Sequence, residues 1–168
     1  STSSSASEIT RNIVLDLSQV GRKYQSSGDR SFNYSDDSTN RNSTTDNRGI
    51  VYYYEHGFVI ENSSYTEPEL ILSWAAVYNN SSVAETAASE YRSSFESDDM
   101  SISEVNITSS LSATRIQYAS GSNQDTVVYY RQANNTAYAL AATDDGQVDT
   151  DFTRELFISM VINDPSLG

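Results

Sequence analysis

From Ser101 onward the apolar residues recur at every second position in four short segments, "SISEVNIT", "ATRIQYAS", "DTVVYYRQ" and "TAYALAAT", divided by polar turns. Period two is the spacing of a strand, whose successive side chains point to opposite faces. The connections are far shorter than the dozen or so residues a parallel crossover needs, so neighbouring strands must pair antiparallel. The last two meet through "ANN" as a hairpin.

The same period appears upstream. Residues 50–60 are almost all β-branched or aromatic and predict a strand, with Gly57 marking a bulge or bend. In "ELILSWAAVY", Leu70, Leu72, Trp74, Ala76 and Tyr78 share one face while Ile71, Ala75 and Val77 share the other, so both faces of this strand should be covered. Pro68 precedes the run, where it breaks no ladder. "RSFNY", with Phe32 and Tyr34 on one side, predicts a short strand.

Three segments carry helical spacing instead. Ile9, Ile13, Leu17 and Val20 form one stripe, with Ser7 as the expected N-cap and Gly21 as the stop. In "SSVAETAASEYRSSF", Ser82 and Glu85 have capping-box spacing, and Ala84, Ala87, Ala88, Tyr91 and Phe95 make an Ala-rich stripe suited to close packing on a sheet. "DTDFTRELFISMVI" opens with Asp149, Thr150 and Asp151 at cap and first-turn positions, and should turn Phe152, Leu156, Met160 and Val161 inward before Pro165 ends it. The sum is an α+β domain: an antiparallel sheet of about six or seven strands with helices packed on it.

A chain of 168 residues is the size of one domain. Two parts stand outside the expected body, a short polar N-terminal tail and the stretch at 35–49, which contains no aliphatic residue and reads as a long polar loop.

Charge narrows the partners. Twenty-three acidic residues face ten basic ones, a formal net charge of -13, and Lys23 is the only lysine. Nucleic acid needs clustered Lys and Arg, which here are scattered singly, and an anionic membrane surface would repel such a chain. Composition of this kind resembles that of proteins from salt-loving archaea, whose ionised shell is screened at high ionic strength. No run approaches the ~18 apolar residues of a membrane span, so membrane attachment would have to come from an anchor upstream of Ser1. Cysteine is absent, which removes disulfides, thiolate nucleophiles and Cys-based metal sites together. Asn-x-Ser/Thr acceptors are dense, at Asn33, Asn42, Asn62, Asn79, Asn80, Asn106 and Asn134, as in an exported glycoprotein.

Catalytic chemistry finds little support. In a strand, Tyr52, Tyr54 and His56 project to one face and Tyr53 and Glu55 to the other, so the sheet itself separates the single histidine from its neighbouring carboxylate. No G-x-S-x-G elbow, S-x-x-K or phosphate-binding glycine loop occurs. Asp36/Asp37, Asp98/Asp99 and Asp144/Asp145 are adjacent pairs in loops, where neighbours act as solvated charge more often than as acid and base. One metal site is conceivable in "TDDGQVDTD": Asp144, Asp145, Asp149 and Asp151 could offer oxygens to calcium around Gly146, although the spacing is not that of an EF-hand and Asp149 and Asp151 also suit a helix cap. No other cofactor is expected.

The order "SSVAETAASEYRSSF", "LSATRIQYAS", "DTVVYYRQANNTAYALAATDD", "DTDFTRELFISMVI" resembles PsbP-like domains, a group that includes extrinsic photosystem proteins and secreted lipoproteins of the LpqN type. The resemblance covers about residues 50–163. It implies an αβα sandwich, a surface or periplasm-like location and a binding or scaffolding role, with no functional residue to carry over; the insert at 35–49 departs from the pattern. The expectation is therefore a non-enzymatic extracellular or cell-surface domain of a halophile, binding a protein or glycan there. The alternatives are a structural subunit of a filament, surface layer or virion, and a carbohydrate-active enzyme.

Overall fold

The computed structural model describes residues 5–33, 49–62, 64–95, 100–120 and 124–167. The polar stretch 35–49 (Gly49 excepted), the tail at 1–4, Tyr34, Asn42 and the pairs Asp36/Asp37 and Asp98/Asp99 lie outside these residues.

Seven strands form one antiparallel sheet: β1 (Tyr24–Asn33), β2 (Ile50–Ile60), β3 (Leu70–Tyr78), β4 (Met100–Asn106), β5 (Ser112–Ser120), β6 (Gln124–Ala133) and β7 (Thr136–Asp145). Their spatial order is β1-β2-β3-β7-β6-β5-β4. The first three strands run as a meander, and helix α3 (Ser81–Ser93) then carries the chain to the far edge, from which β4 to β7 return to the centre. The helix before the sheet is α1 (Ala6–Ile13) with a short α2 (Leu17–Val20), and α4 (Thr150–Asn163) closes the chain.

Strand alternation sorts the core into two layers. On β6, Val127 and Tyr129 join a cluster with Ile13, Leu15, Tyr138, Leu140, Phe157 and Met160, while Val128 and Tyr130 join Trp74, Ala84, Tyr91 and Ile116 on the other side. α1 and α4 therefore cover one face and α3 the other, which makes the fold an α+β sandwich with helices on both sides. Fully burying an aliphatic or aromatic side chain contributes about 1.5–3 kcal/mol; Ile13, Phe157, Leu140 and Met160 are each wholly buried. The wholly buried Ser73 is satisfied, since its Oγ accepts from the Leu15 amide at 3.1 Å and donates to Met160 Sδ at 3.3 Å.

Several expected features shift, each for a local reason. The first helix is not continuous to Val20: Val14 is extended, and Asp16 starts α2 with a reciprocal capping box to Gln19. Ser5, not Ser7, caps α1 by accepting from the Glu8 amide at 3.2 Å. Asn80, not Ser82, caps α3, because its Oδ1 accepts from the Val83 amide at 2.9 Å. β1 is ten residues long although its sequence barely alternates, since it is an edge strand held by main-chain pairing to β2, with nine of its ten residues exposed. Gly57 does mark an irregularity. It faces the point where the β1 register shifts between Ser26 and Gly28, and a Cβ there would come within 2.6 Å of Ser27 Oγ. The β6–β7 hairpin turns on Asn134 at φ 54, a left-handed conformation that asparagine tolerates.

Candidate ligand-binding cleft

Seven strands at about 4.8 Å spacing span roughly 30 Å, whereas a helix with its side chains is about 10–12 Å wide. A single helix thus cannot cover its whole face of the sheet. α3 packs over β3, β7 and β6, and a cleft of about 510 Å³ opens between its later turns and strands β4, β5 and β6. Ala88, Tyr91 and Leu111, each partly exposed, line it over the buried Ile116 and Tyr130, and Ser89, Ser112, Thr114 and Gln132 give it polar groups.

An aromatic cluster adjoins the cleft through Tyr91 and Tyr130. Tyr91 of α3 stacks on Tyr130 of β6, with centroids 4.7 Å apart and planes at 19°. Trp74 meets Tyr91 edge-on at 5.6 Å and Tyr130 at 5.8 Å, and Phe95 links Tyr91 to Tyr118. The row continues outward through Tyr53 to Phe32 on the β1 edge. Burial pushes the Tyr91 and Tyr130 phenols far up from their ordinary value, so both stay protonated and act as neutral hydrogen-bonding groups rather than nucleophiles.

Three charged residues line the cleft: Arg131, which pairs with Asp164, and Arg92 and Glu104, which pair with each other. Arg92 Nη1 lies 3.4 Å from Glu104 Oε1, joining α3 to β4, and the same oxygen accepts from Thr114 Oγ1 at 2.7 Å. Both charged side chains are about half exposed. Neither Arg92 nor Glu104 stood out in the sequence. The available signal was positional: Arg92 adjoins Tyr91 on the helical stripe, and Glu104 sits at the same strand parity as Ile102.

The sequence-singled residues lie elsewhere. His56 faces the α1 and α4 side, with Nε2 2.7 Å from Ser26 Oγ and its ring 4.3 Å from Phe58. Glu55 is on the opposite face, paired with Arg30 Nε at 2.6 Å. Among the described residues no carboxylate hydrogen-bonds to His56; the nearby Asp16 is engaged by Ser18 and the Gln19 amide, bonds that hold its carboxyl below the usual range. The Ser26 and His56 pair sits at the β1 bulge, where Ser26 Oγ also accepts from the Gly28 amide at 3.2 Å.

Asp144 and Asp145 end β7, and Asp149 caps α4 by accepting from the Phe152 amide at 3.1 Å, with Asp151 in the first turn. No three acidic or histidine side chains among the described residues come together to hold a metal ion. Burial, followed by the like charges of Asp145 and Asp125, holds Asp144 above the ordinary carboxylate range. Burial, Asp145 and Asp144 do the same to Glu69. Of the sequons, Asn62, Asn79, Asn106 and Asn134 are exposed, Asn33 ends β1, and Asn80 is committed as the α3 cap.

No protein-family model and no curated protein matches this chain. Among solved structures it is similar in fold to the extracellular domain of PknH from Mycobacterium tuberculosis, with a TM-score of 0.55 and 10% identity over 94% of this chain and 97% of that one.

Proposed function

We propose that this chain is a non-enzymatic binding domain of the cell surface or extracellular space, and that it binds through the cleft between α3 and strands β4 to β6. The observation that carries this reading is the cleft itself: a concavity of about 510 Å³ beside an aromatic cluster, with partly exposed apolar residues and a few converging polar groups, within the range of small-molecule sites. The fold likeness to an extracellular domain, which is also compatible with the PsbP-like resemblance, supports the location. In this reading the formal charge of -13 suits a halophile's brine, any glycosylation falls on exposed sequons, and membrane attachment, lipid or otherwise, lies outside these residues. No helix among the described residues is long and apolar enough to cross a bilayer.

The test is retention on cell-envelope fractions, polysaccharide and protein separately, by the wild type and by Ser89→Phe, which fills the cleft from an exposed helix position. Retention that the substitution abolishes supports the reading. Equal retention by both proteins places binding on another surface.

A second reading rests on β1, which pairs on one side only among the strands described. The exposed part of this edge strand before Arg30 can template pairing with another chain, as in a subunit of a filament or surface layer. Sedimentation over a concentration series separates the two, since such a subunit self-associates.

A further inference from the structure

The polar groups of the cleft restrict what it can hold, and on the binding reading above they specify a ligand class. Anions meet the field of a chain with net charge -13 and the Glu104 carboxylate in the mouth. Cations meet Arg92 in the same mouth. Of the remaining polar residues in the lining, Ser89, Ser110, Ser112, Thr114 and Gln132 are neutral, and the charge of Arg131 is matched by Asp164.

The Arg92 and Glu104 contact itself is loose. At 3.4 Å it is well beyond the roughly 2.7–2.9 Å of a charge-assisted hydrogen bond, and a half-exposed pair contributes only about 0–1 kcal/mol. A guanidinium can only donate and a carboxylate can only accept. A hydroxyl does both, so vicinal hydroxyls can enter between the two groups and satisfy each. The partly exposed apolar residues of the lining, Ala88, Tyr91 and Leu111, then suit a ligand that has a hydrocarbon face as well as hydroxyl edges.

We propose that the cleft between α3 and β4 to β6 binds an uncharged sugar unit of a glycan, with Arg92 and Glu104 dividing its hydroxyls between donor and acceptor and its apolar face turned to Tyr91 and Leu111.

Trp74, the only tryptophan, touches both Tyr91 and Tyr130, which line the cleft, so its emission reports on their surroundings. The experiment titrates the protein in molar KCl with neutral hexoses, N-acetylhexosamines and their disaccharides, with uronic acids and unacetylated hexosamines, with amino acids and with short alkyl alcohols, following Trp74 emission and calorimetric heat. A saturable response to a neutral sugar is expected, weakened tenfold or more by Glu104→Gln and by Arg92→Gln while the melting temperatures of both variants stay near that of the wild type. Binding of charged, zwitterionic or alkyl ligands alone, abolished by Ser89→Phe, overturns the sugar assignment and leaves the cleft as a binding site. Silence with every ligand overturns the sugar assignment and, if Ser89→Phe also leaves envelope retention unchanged, the cleft reading with it. Sugar binding unaffected by both Gln variants overturns the roles given to Arg92 and Glu104.

Discussion

Arg131 and Asp164 form an ion pair almost out of solvent, Nη1 to Oδ2 3.0 Å, tying the end of β6 to the end of α4. The Tyr138 hydroxyl donates to the same oxygen at 3.0 Å, and the other oxygen accepts from the amide and hydroxyl of Ser166. Removing one partner of such a pair leaves the other charge buried and unmatched, which typically costs about 3–5 kcal/mol. Asp164→Ala should therefore lower stability by that order in urea unfolding. A loss under about 1 kcal/mol would mean that water reaches the guanidinium.

The α3 cap gives a second check. Asn80→Ala should cost about 1 kcal/mol, the usual worth of an N-cap, whereas Ser82→Ala should be close to neutral, since Asn80 supplies the side-chain bond to the helix start. Thermal melts of the two variants side by side decide between the caps.

Gly49 precedes β2 at φ 85, and a Cβ there would clash with Val83 Cγ1 on α3. Gly49→Ala should destabilise by about 1–3 kcal/mol through backbone strain and overpacking. Val83→Ala in the same chain removes the clash but not the strain, so the double variant should recover only part of the loss in a double-mutant cycle.

The acids at the β3 start and β7 end set a pH and salt dependence. Glu69 and Asp144 have folded-state pKa values raised above the unfolded ones. The stability linked to these two groups is thus fully present below the unfolded carboxylate range and is lost as pH rises through their folded values. At neutral pH Glu69→Gln should raise stability, by less than about 1 kcal/mol for this partly exposed group, and the gain should shrink in molar KCl, where the Debye length falls to about 3 Å. The wild type itself should melt higher in molar salt than in dilute buffer, because its formal charge of -13 repels itself less. Melting curves at two pH values and two salt concentrations measure both effects.

The strands from Met100 to Asp145 were legible because each pairs with its sequence neighbour, so period and turn length carry the information. The polar beginning of β1 was not, since an edge strand is specified by the main chain of β2 rather than by its own side chains. The break at Val14 was hidden because the apolar spacing from Ile9 to Val20 runs on through it, while Val14 and Leu15 are buried in extended form between Ile13 and the Asp16 cap. In α4 the spacing located Leu156 and Met160, yet the wholly buried Phe157 was missed because α4 presents a broad apolar face to β6 and β7 rather than a narrow stripe. His56 could be weighed from strand parity alone. The cleft could not, because it joins α3 to β4, β5 and β6 only after the crossover places that helix over them.

The most direct measurement is an amide NMR titration of the isotope-labelled protein with the envelope fraction or sugar it retains. Shifts concentrated at Ala88, Tyr91 and Arg92 on α3, at Thr114 and Ile116 on β5 and at Tyr130 and Gln132 on β6 are the expected result. Shifts confined to the α1 and α4 face or to the β1 edge would contradict it.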